Sequence, residues 1–226
     1  MSQLFVLSPA SHNDEDYALI DESRPAWETV QCSVFRTVET RRIGPLVVSE
    51  VPLTGHGVIW TWYLDVLVRD FVKGVIESCL SGCSFVPAEI GGDAPPQRAR
   101  LWELHTNGFA GFAAGAGDVN VRSRCDECGI YSYTTGAPFS QLIDPAKRDG
   151  SDVFTIWPFP RIHICTEKAA SVLRRSDVDG IAIIPIEEFE LVSASAAPGL
   201  PAAYLDSGAQ QRLMNDPDFI NAIWPS

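Results

Sequence analysis

The chain is short of positive charge. Its 226 residues carry 17 Lys and Arg against 29 Asp and Glu, a formal net charge of −12. Affinity for nucleic acid comes mainly from Lys and Arg displacing counterions, so this balance argues against a phosphate-binding surface. It favours solubility and attraction to basic partners. Long apolar runs are also missing. No window approaches eighteen uninterrupted apolar residues, so no membrane span is expected. The richest stretch, 58–67, meets Asp65, Arg69 and Asp70 and reads as a core helix. No basic leader precedes the first apolar patch, so no signal peptide is expected and the site of action is taken as cytoplasmic. Charged residues are only 20% and apolar ones 46%, which is the balance of a chain that buries a core rather than a disordered one. The length suits one large domain or two small ones.

Catalytic signatures are missing as well. Residues 108–117 (GFAGFAAGAG) look like a phosphate loop but lack the Lys-Ser/Thr that such a loop places on phosphate and Mg²⁺, so a surface loop is expected there. A cysteine hydrolase would need Cys, His and a carboxylate or amide converging. None of His12, His56, His105 and His163 has a local signature of that kind. His105 and His163 read as polar-face residues of strands, and the chain is expected not to be an enzyme.

What is present is a regular alternation of elements. Strands are predicted over 26–37, 46–49, 84–90, 101–106, 119–124, 130–134, 161–165 and 181–184. Apolar residues at helical spacing (Ile59, Tyr63, Leu67, Phe71, Val75, Cys79) predict a helix over 59–80 that ends at Gly82. A second helix runs to about Arg175, with Thr166 as its cap and Arg174 and Arg175 in the last turn, where the helix dipole favours cations. Residues 91–96 (GGDAPP) are the clearest linker. The expected class is therefore α+β, mixed sheets with a few helices. The divisions are a polar lead-in at 1–25, an N-terminal lobe at 26–92, a C-terminal lobe at 97–192 and a tail at 193–226.

An internal echo suggests that the two lobes are similar. Leu46-Val-Val-Ser49-Glu50 parallels Ile162-His-Ile-Cys-Thr166-Glu167. Downstream, Gly82-x4-Pro87-x-Glu89 repeats as Gly180-x4-Pro185-x-Glu187 with identical spacing.

The run Cys125-Asp-Glu-Cys128-Gly129, Asp144, Asp149-Gly-Ser-Asp152-Val-Phe154, Trp157-Pro-x-Pro160-Arg161, Thr166-Glu167 and the strand from Gly180 to Pro185 resembles the double-CXXCG-motif family of myxobacteria. That likeness covers roughly ninety residues, a stretch that takes in most of the expected second lobe. The family includes immunity proteins paired with polymorphic toxins exchanged between cells. The resemblance implies a cytoplasmic immunity protein whose partner is a cognate toxin, and the acidic balance suits a basic one. The family's N-terminal CxxCG is represented here by Cys32 alone, in Val30-Gln-Cys32-Ser-Val-Phe35.

The cysteines count six: Cys32, Cys79, Cys83, Cys125, Cys128 and Cys165. Without an export signal, free thiols or a metal site are expected rather than disulfides. Cys125 and Cys128 have zinc-knuckle spacing, and a structural zinc takes four ligands. Candidates to complete the set are Cys32, the Cys79/Cys83 pair, or His163 with Cys165. A redox CxxC is disfavoured, because such sites open a helix and here a strand follows. Asp144, Asp149 and Asp152 could form an acidic patch facing a basic toxin, or could cap turns while Trp157 packs in the core. The alternative to an immunity protein is a zinc-supported interaction or regulatory module.

Overall fold

The computed structural model describes residues 3–11, 13–52, 55–91, 100–113, 119–191 and 199–223. The fold is α+β with mixed sheets. The first half runs β1 (Leu4–Pro9), β2 (Tyr17–Ile20), a hairpin of β3 (Trp27–Cys32) and β4 (Arg36–Arg42), β5 (Val47–Glu50), β6 (Val58–Thr61) and β7 (Val66–Arg69). Helix α1 (Asp70–Cys79), β8 (Cys83–Pro87) and β9 (Glu89–Ile90) complete it. The second half runs β10 (Leu101–Thr106), β11 (Phe109–Phe112), a hairpin of β12 (Val119–Arg124) and β13 (Tyr131–Thr135), β14 (Val153–Trp157) and β15 (Phe159–Thr166). Helix α2 (Glu167–Arg175) and β16 (Ile181–Pro185) follow, and the tail forms α3 (Pro201–Tyr204), α4 (Ser207–Met214) and α5 (Pro217–Ile223).

The two halves repeat one topology. The second half's sheet has the order β16-β1-β15-β14-β11. The first half's begins β8-β10-β7-β6-β2 and continues through β5 to β9. In both, the first three pairings are antiparallel and the fourth is parallel. Each half thus holds strand, strand, hairpin, two antiparallel strands, helix and strand. The halves also exchange their first strand. β1 inserts between β15 and β16 of the second sheet, and β10 inserts between β7 and β8 of the first.

The helices form where local signals support them. α2 starts at Thr166, whose hydroxyl accepts from the Ala169 amide at 3.3 Å, and ends with Arg174 and Arg175, as expected. α1 turns Val72 and Ile76 inward and packs against α2. Between the halves lies a shared core of Phe5, Leu7, Val58, Val68, Val72, Leu104, Val153 and Leu173. Two glycines let the halves approach there. Gly82 (φ 87°) follows α1, and a Cβ on it would lie 2.1 Å from the Val153 carbonyl oxygen. Gly180 (φ 79°) follows α2, and its Cβ would lie 2.0 Å from the Val58 carbonyl oxygen. The flanking hydrogen bonds match too: Val153 N donates to Ser81 O and Val58 N to Asp179 O, both at 3.1 Å.

Several expectations are corrected. The stretch 1–25 is no lead-in: β1 and β2 are sheet strands, and Phe5, Val6 and Ala18 are buried. The helix predicted over 59–80 exists only from Asp70; before it, β6 and β7 form a hairpin. Val58, Ile59, Thr61, Val66 and Val68 are β-branched residues suited to strands. The Thr61 hydroxyl accepts from the amides of Tyr63 (3.2 Å) and Asp65 (3.1 Å) and closes the turn between them. The loop predicted over 108–117 contains β11, whose four residues are buried, while 114–118 lie outside the described residues. The echo holds at its Gly-to-Pro part, but Leu46–Glu50 matches the wrong strand: the counterpart of β15 is β7. A division at 92–97 does not separate independent lobes, because each sheet takes a strand from the other half. Residues 92–96 of the expected linker, and Trp224 in the tail, lie outside the described residues. The tail supplies Leu205, Ala209, Leu213 and Phe219 to the second half's core.

Candidate metal centre

The repeated hairpins converge at their tips. Cys32 ends β3, and the turn Ser33-Val34-Phe35 leads to Arg36 at the start of β4. Cys125 to Gly129 form the corresponding turn between β12 and β13. In the first turn the amides of Val34 and Phe35 donate to Cys32 Sγ, each at 3.4 Å. In the second, the amides of Cys128 and Glu127 do the same for Cys125 and hold its thiol below the usual thiol range. Cys128 moves the other way, pushed up to about 11 by burial. Glu127 latches the two turns, accepting from the Ser33 amide (2.9 Å) and hydroxyl (2.7 Å).

Cys32, Cys125 and Cys128 are thereby brought together, with their sulfurs all within 4.8 Å of one another. Cys32 Sγ and Cys125 Sγ are 3.6 Å apart. A disulfide needs about 2.05 Å, and two thiolates on one tetrahedral zinc, with Zn–S near 2.3 Å, lie about 3.8 Å apart. The spacing therefore fits ligands of one ion. Amides turned towards sulfur stabilise thiolate, the form that binds metal. The fourth position of the pattern, held by Cys128 in the second turn, is Phe35 in the first. Phe35 packs with Val38, Ile130 and Leu200 against the cysteines.

The other expected ligands lie elsewhere. Cys79 is exposed at the end of α1, and Cys83 and Cys165 are pushed up to about 12 by burial in the shared core. All six cysteines are free. The three aspartates each accept hydrogen bonds within the chain. Asp144 caps a short turn at the Ala146 amide, and Asp149 accepts from the Phe109 and Ser151 amides and pairs with Arg212. Asp152 is 8% exposed and accepts from Ser81 and Lys168. Asp152 is thus buried with its partners inside the chain, while Asp149 is exposed and pairs at the surface. Trp157 is buried and donates its indole N–H to the Tyr133 hydroxyl at 2.9 Å.

A polar cluster that sequence reading passed over lies at the seam of the two halves. His105 on β10 and His163 on β15 line one cavity of about 230 Å³ together with Asp65, Glu103, Arg161 and Trp27. Arg42 grips Glu103 through both terminal guanidinium nitrogens, and Arg161 grips Glu39 at 3.1 Å. Burial raises Asp65 to about 6, against the pull of Arg161. Burial lowers His163 to about 4, against the Leu64 carbonyl and with help from Arg161. His56 lies outside the cavity, paired with Asp179 at 3.0 Å, and His12 is outside the described residues. The sequence marks three of its members, His105 and His163 as strand residues and Arg161 within the Trp157-to-Arg161 motif, but nothing in it joins them.

No helix among the described residues is long and apolar enough to cross a membrane. No family model matches the chain, and no match is found among curated proteins.

Proposed function

We propose that this chain is a non-catalytic binding protein, an immunity protein that neutralises a cognate bacterial toxin, with its two hairpins stapled by one zinc ion. The observation that carries the staple is the convergence of Cys32, Cys125 and Cys128 from matching turns in the two halves. Bound zinc would add a cross-link to hairpins already joined by the Glu127–Ser33 hydrogen bonds and the apolar contacts at their tips, and its binding energy becomes folding energy. Reduced thiolates at this position suit a cytoplasmic setting. The toxin reading is supported by the resemblance of the Cys125-to-Pro185 run to the double-CXXCG family. The net charge of −12 suits a basic toxin and opposes nucleic acid as partner.

Co-expression tests this reading. The neighbouring gene should encode a protein that kills when expressed alone, and this chain should rescue the cell and co-purify with that protein. No rescue and no complex would end the immunity proposal. Metal analysis of the purified chain should find about one zinc per molecule, and Cys32→Ser should abolish it. A second reading, a zinc-supported interaction module unrelated to toxins, draws on the same cysteine geometry; stoichiometric zinc without any rescue would favour it.

A further inference from the structure

The turn between β6 and β7 shows three consecutive large apolar side chains to solvent. Trp62 is 50% exposed, Tyr63 52% and Leu64 37%. Turns ordinarily carry Gly, Pro, Asn, Asp or Ser, and a contiguous exposed apolar patch marks an interaction site. This turn is also rigid. The Thr61 hydroxyl accepts from two of its amides and donates to Asp65 Oδ2 at 3.0 Å. Trp62 stacks on Tyr17 with ring centroids 4.4 Å apart. Leu64 has φ 66°, a conformation that a non-glycine residue keeps only when its surroundings impose it.

Behind this rim lies the seam cavity, with Leu64 and Asp65 in its wall. Its charges do not balance. Three carboxylates in its lining, Asp65, Glu103 and Asp206, meet two guanidiniums, Arg42 and Arg161, and Glu39 pairs with Arg161 from outside the lining. Both guanidiniums are held by glutamates, and Arg161 reaches Asp65 only at 3.9 Å. The cavity already stacks cations on rings: Arg42 and Arg161 lie 4.4 and 5.3 Å from the Trp27 ring. Trp27 Nε1 and Arg161 Nε are buried with no acceptor in the protein.

We propose that Trp62, Tyr63 and Leu64 are the rim of the partner-docking face, and that the seam cavity receives an arginine or lysine side chain from a basic partner protein. This deepens the immunity reading and rests on it. A cationic side chain would meet Asp65, run its stem along Leu64 and Leu104, and bring a backbone carbonyl within the same insertion as an acceptor for the Trp27 or Arg161 N–H. An anion would meet the carboxylate excess. A metal ion finds no triple of ligand atoms there, since among the described residues only the cysteine group provides one. Aromatic anchors around a cationic insertion match the composition of binding hot spots.

The first arm of the test needs no toxin. The full chain is titrated with N-acetyl-arginine amide, N-acetyl-lysine amide and, as neutral isostere of the first, N-acetyl-citrulline amide, with the indole N–H signals of Trp27 and Trp62 followed by NMR. Saturable shifts are expected for at least one cation and none for citrulline, with Asp65→Asn weakening the affinity by at least about tenfold. No saturable shift, or equal shifts from citrulline, overturns the proposal. Trp62→Ala/Tyr63→Ala, confined to exposed positions, serves if Asp65→Asn fails to fold. That double variant should bind the cation several-fold more weakly and lose rescue in co-expression while keeping its zinc and a single cooperative unfolding transition, with a melting temperature lowered only by the loss of the Trp62–Tyr17 stack. Rescue undiminished in the double variant would overturn the docking face and leave the immunity reading standing. Failure of the wild-type chain to rescue would end the immunity reading, and with it the proposed toxin face.

Discussion

Arg36 and Gly129 hold the same place in the two matching hairpins, each directly after a four-residue thiolate turn, and both have positive φ, 60° and 77°. Gly129 adopts this conformation freely, whereas Arg36 is strained by it. Arg36 is exposed, and its side chain has no hydrogen bond described that would be lost on removal. Arg36→Gly should therefore stabilise the protein by about 0.5–1 kcal/mol, the relief of αL strain less the added entropy of glycine. Urea unfolding checks this; an unchanged or lower midpoint would mean that the strain is compensated elsewhere.

Phe35 stands where Cys128 stands in the other turn, with its amide already donating to Cys32 Sγ. Phe35→Cys should complete a four-thiolate site. In chelator competition the zinc affinity should rise by at least about tenfold, the size of effect that a ligand-shell change produces. An unchanged affinity would show that the turn cannot aim a fourth sulfur at the ion.

Gly82 and Gly180 make the two halves' corresponding close approaches, to the Val153 and Val58 carbonyl oxygens. Each also has positive φ. Gly82→Ala and Gly180→Ala should both destabilise by about 2–5 kcal/mol, combining overpacking with αL strain. Because each contact ties one half to the other, thermal unfolding should stay a single transition in both variants. Two separated transitions would show that the halves fold independently.

Much of this architecture was legible in short-range signals. α2 was found from its Thr166 cap, its basic last turn and Gly180, and the strands around Cys125 and Cys128 from alternation. The hairpin before α1 imitates a helix in sequence because Ile59, Tyr63 and Leu67 fall four apart. What decides that segment is the Thr61 hydroxyl closing a turn at Asp65, which periodicity does not reveal. Strand exchange was illegible for a different reason. Leu4–Pro9 finds its partners in Phe159–Thr166 and Ile181–Pro185, and no local pattern selects between distant partners. The metal group was legible in outline: CxxC spacing marks two ligands and the family resemblance points to Cys32, but only the tip-to-tip meeting of the hairpins separates Cys32 from the Cys79/Cys83 and His163/Cys165 alternatives. The seam cavity needed both sheets in place, so His105 and His163 looked like separate strand residues.

Asp65 and His163 share that cavity, and burial acts on them in opposite directions. His163 falls to about 4 from 6.5, so the stability it contributes is present above pH 6.5 and is lost as pH falls towards 4. Asp65 rises to about 6 from 3.8, so its contribution is full below pH 3.8 and is lost as pH rises through 6. Between about pH 4.5 and 6 the two slopes oppose, each of them on the order of 3 kcal/mol over its whole range at 1.36 kcal/mol per unit. The wild-type chain should be nearly level there. Asp65→Asn should leave the histidine slope alone, so its stability falls more steeply than wild type as pH drops from 6.5 to 4.5. His163→Gln should leave the aspartate slope, so its stability rises over the same interval. Asp149 and Asp152 are held below the usual carboxylate range and lose their contribution only at lower pH, outside this window. Urea midpoints at pH 6.5, 5.5 and 4.5 decide it. Parallel curves for wild type and both variants would show that neither group is desolvated as its place at the seam requires.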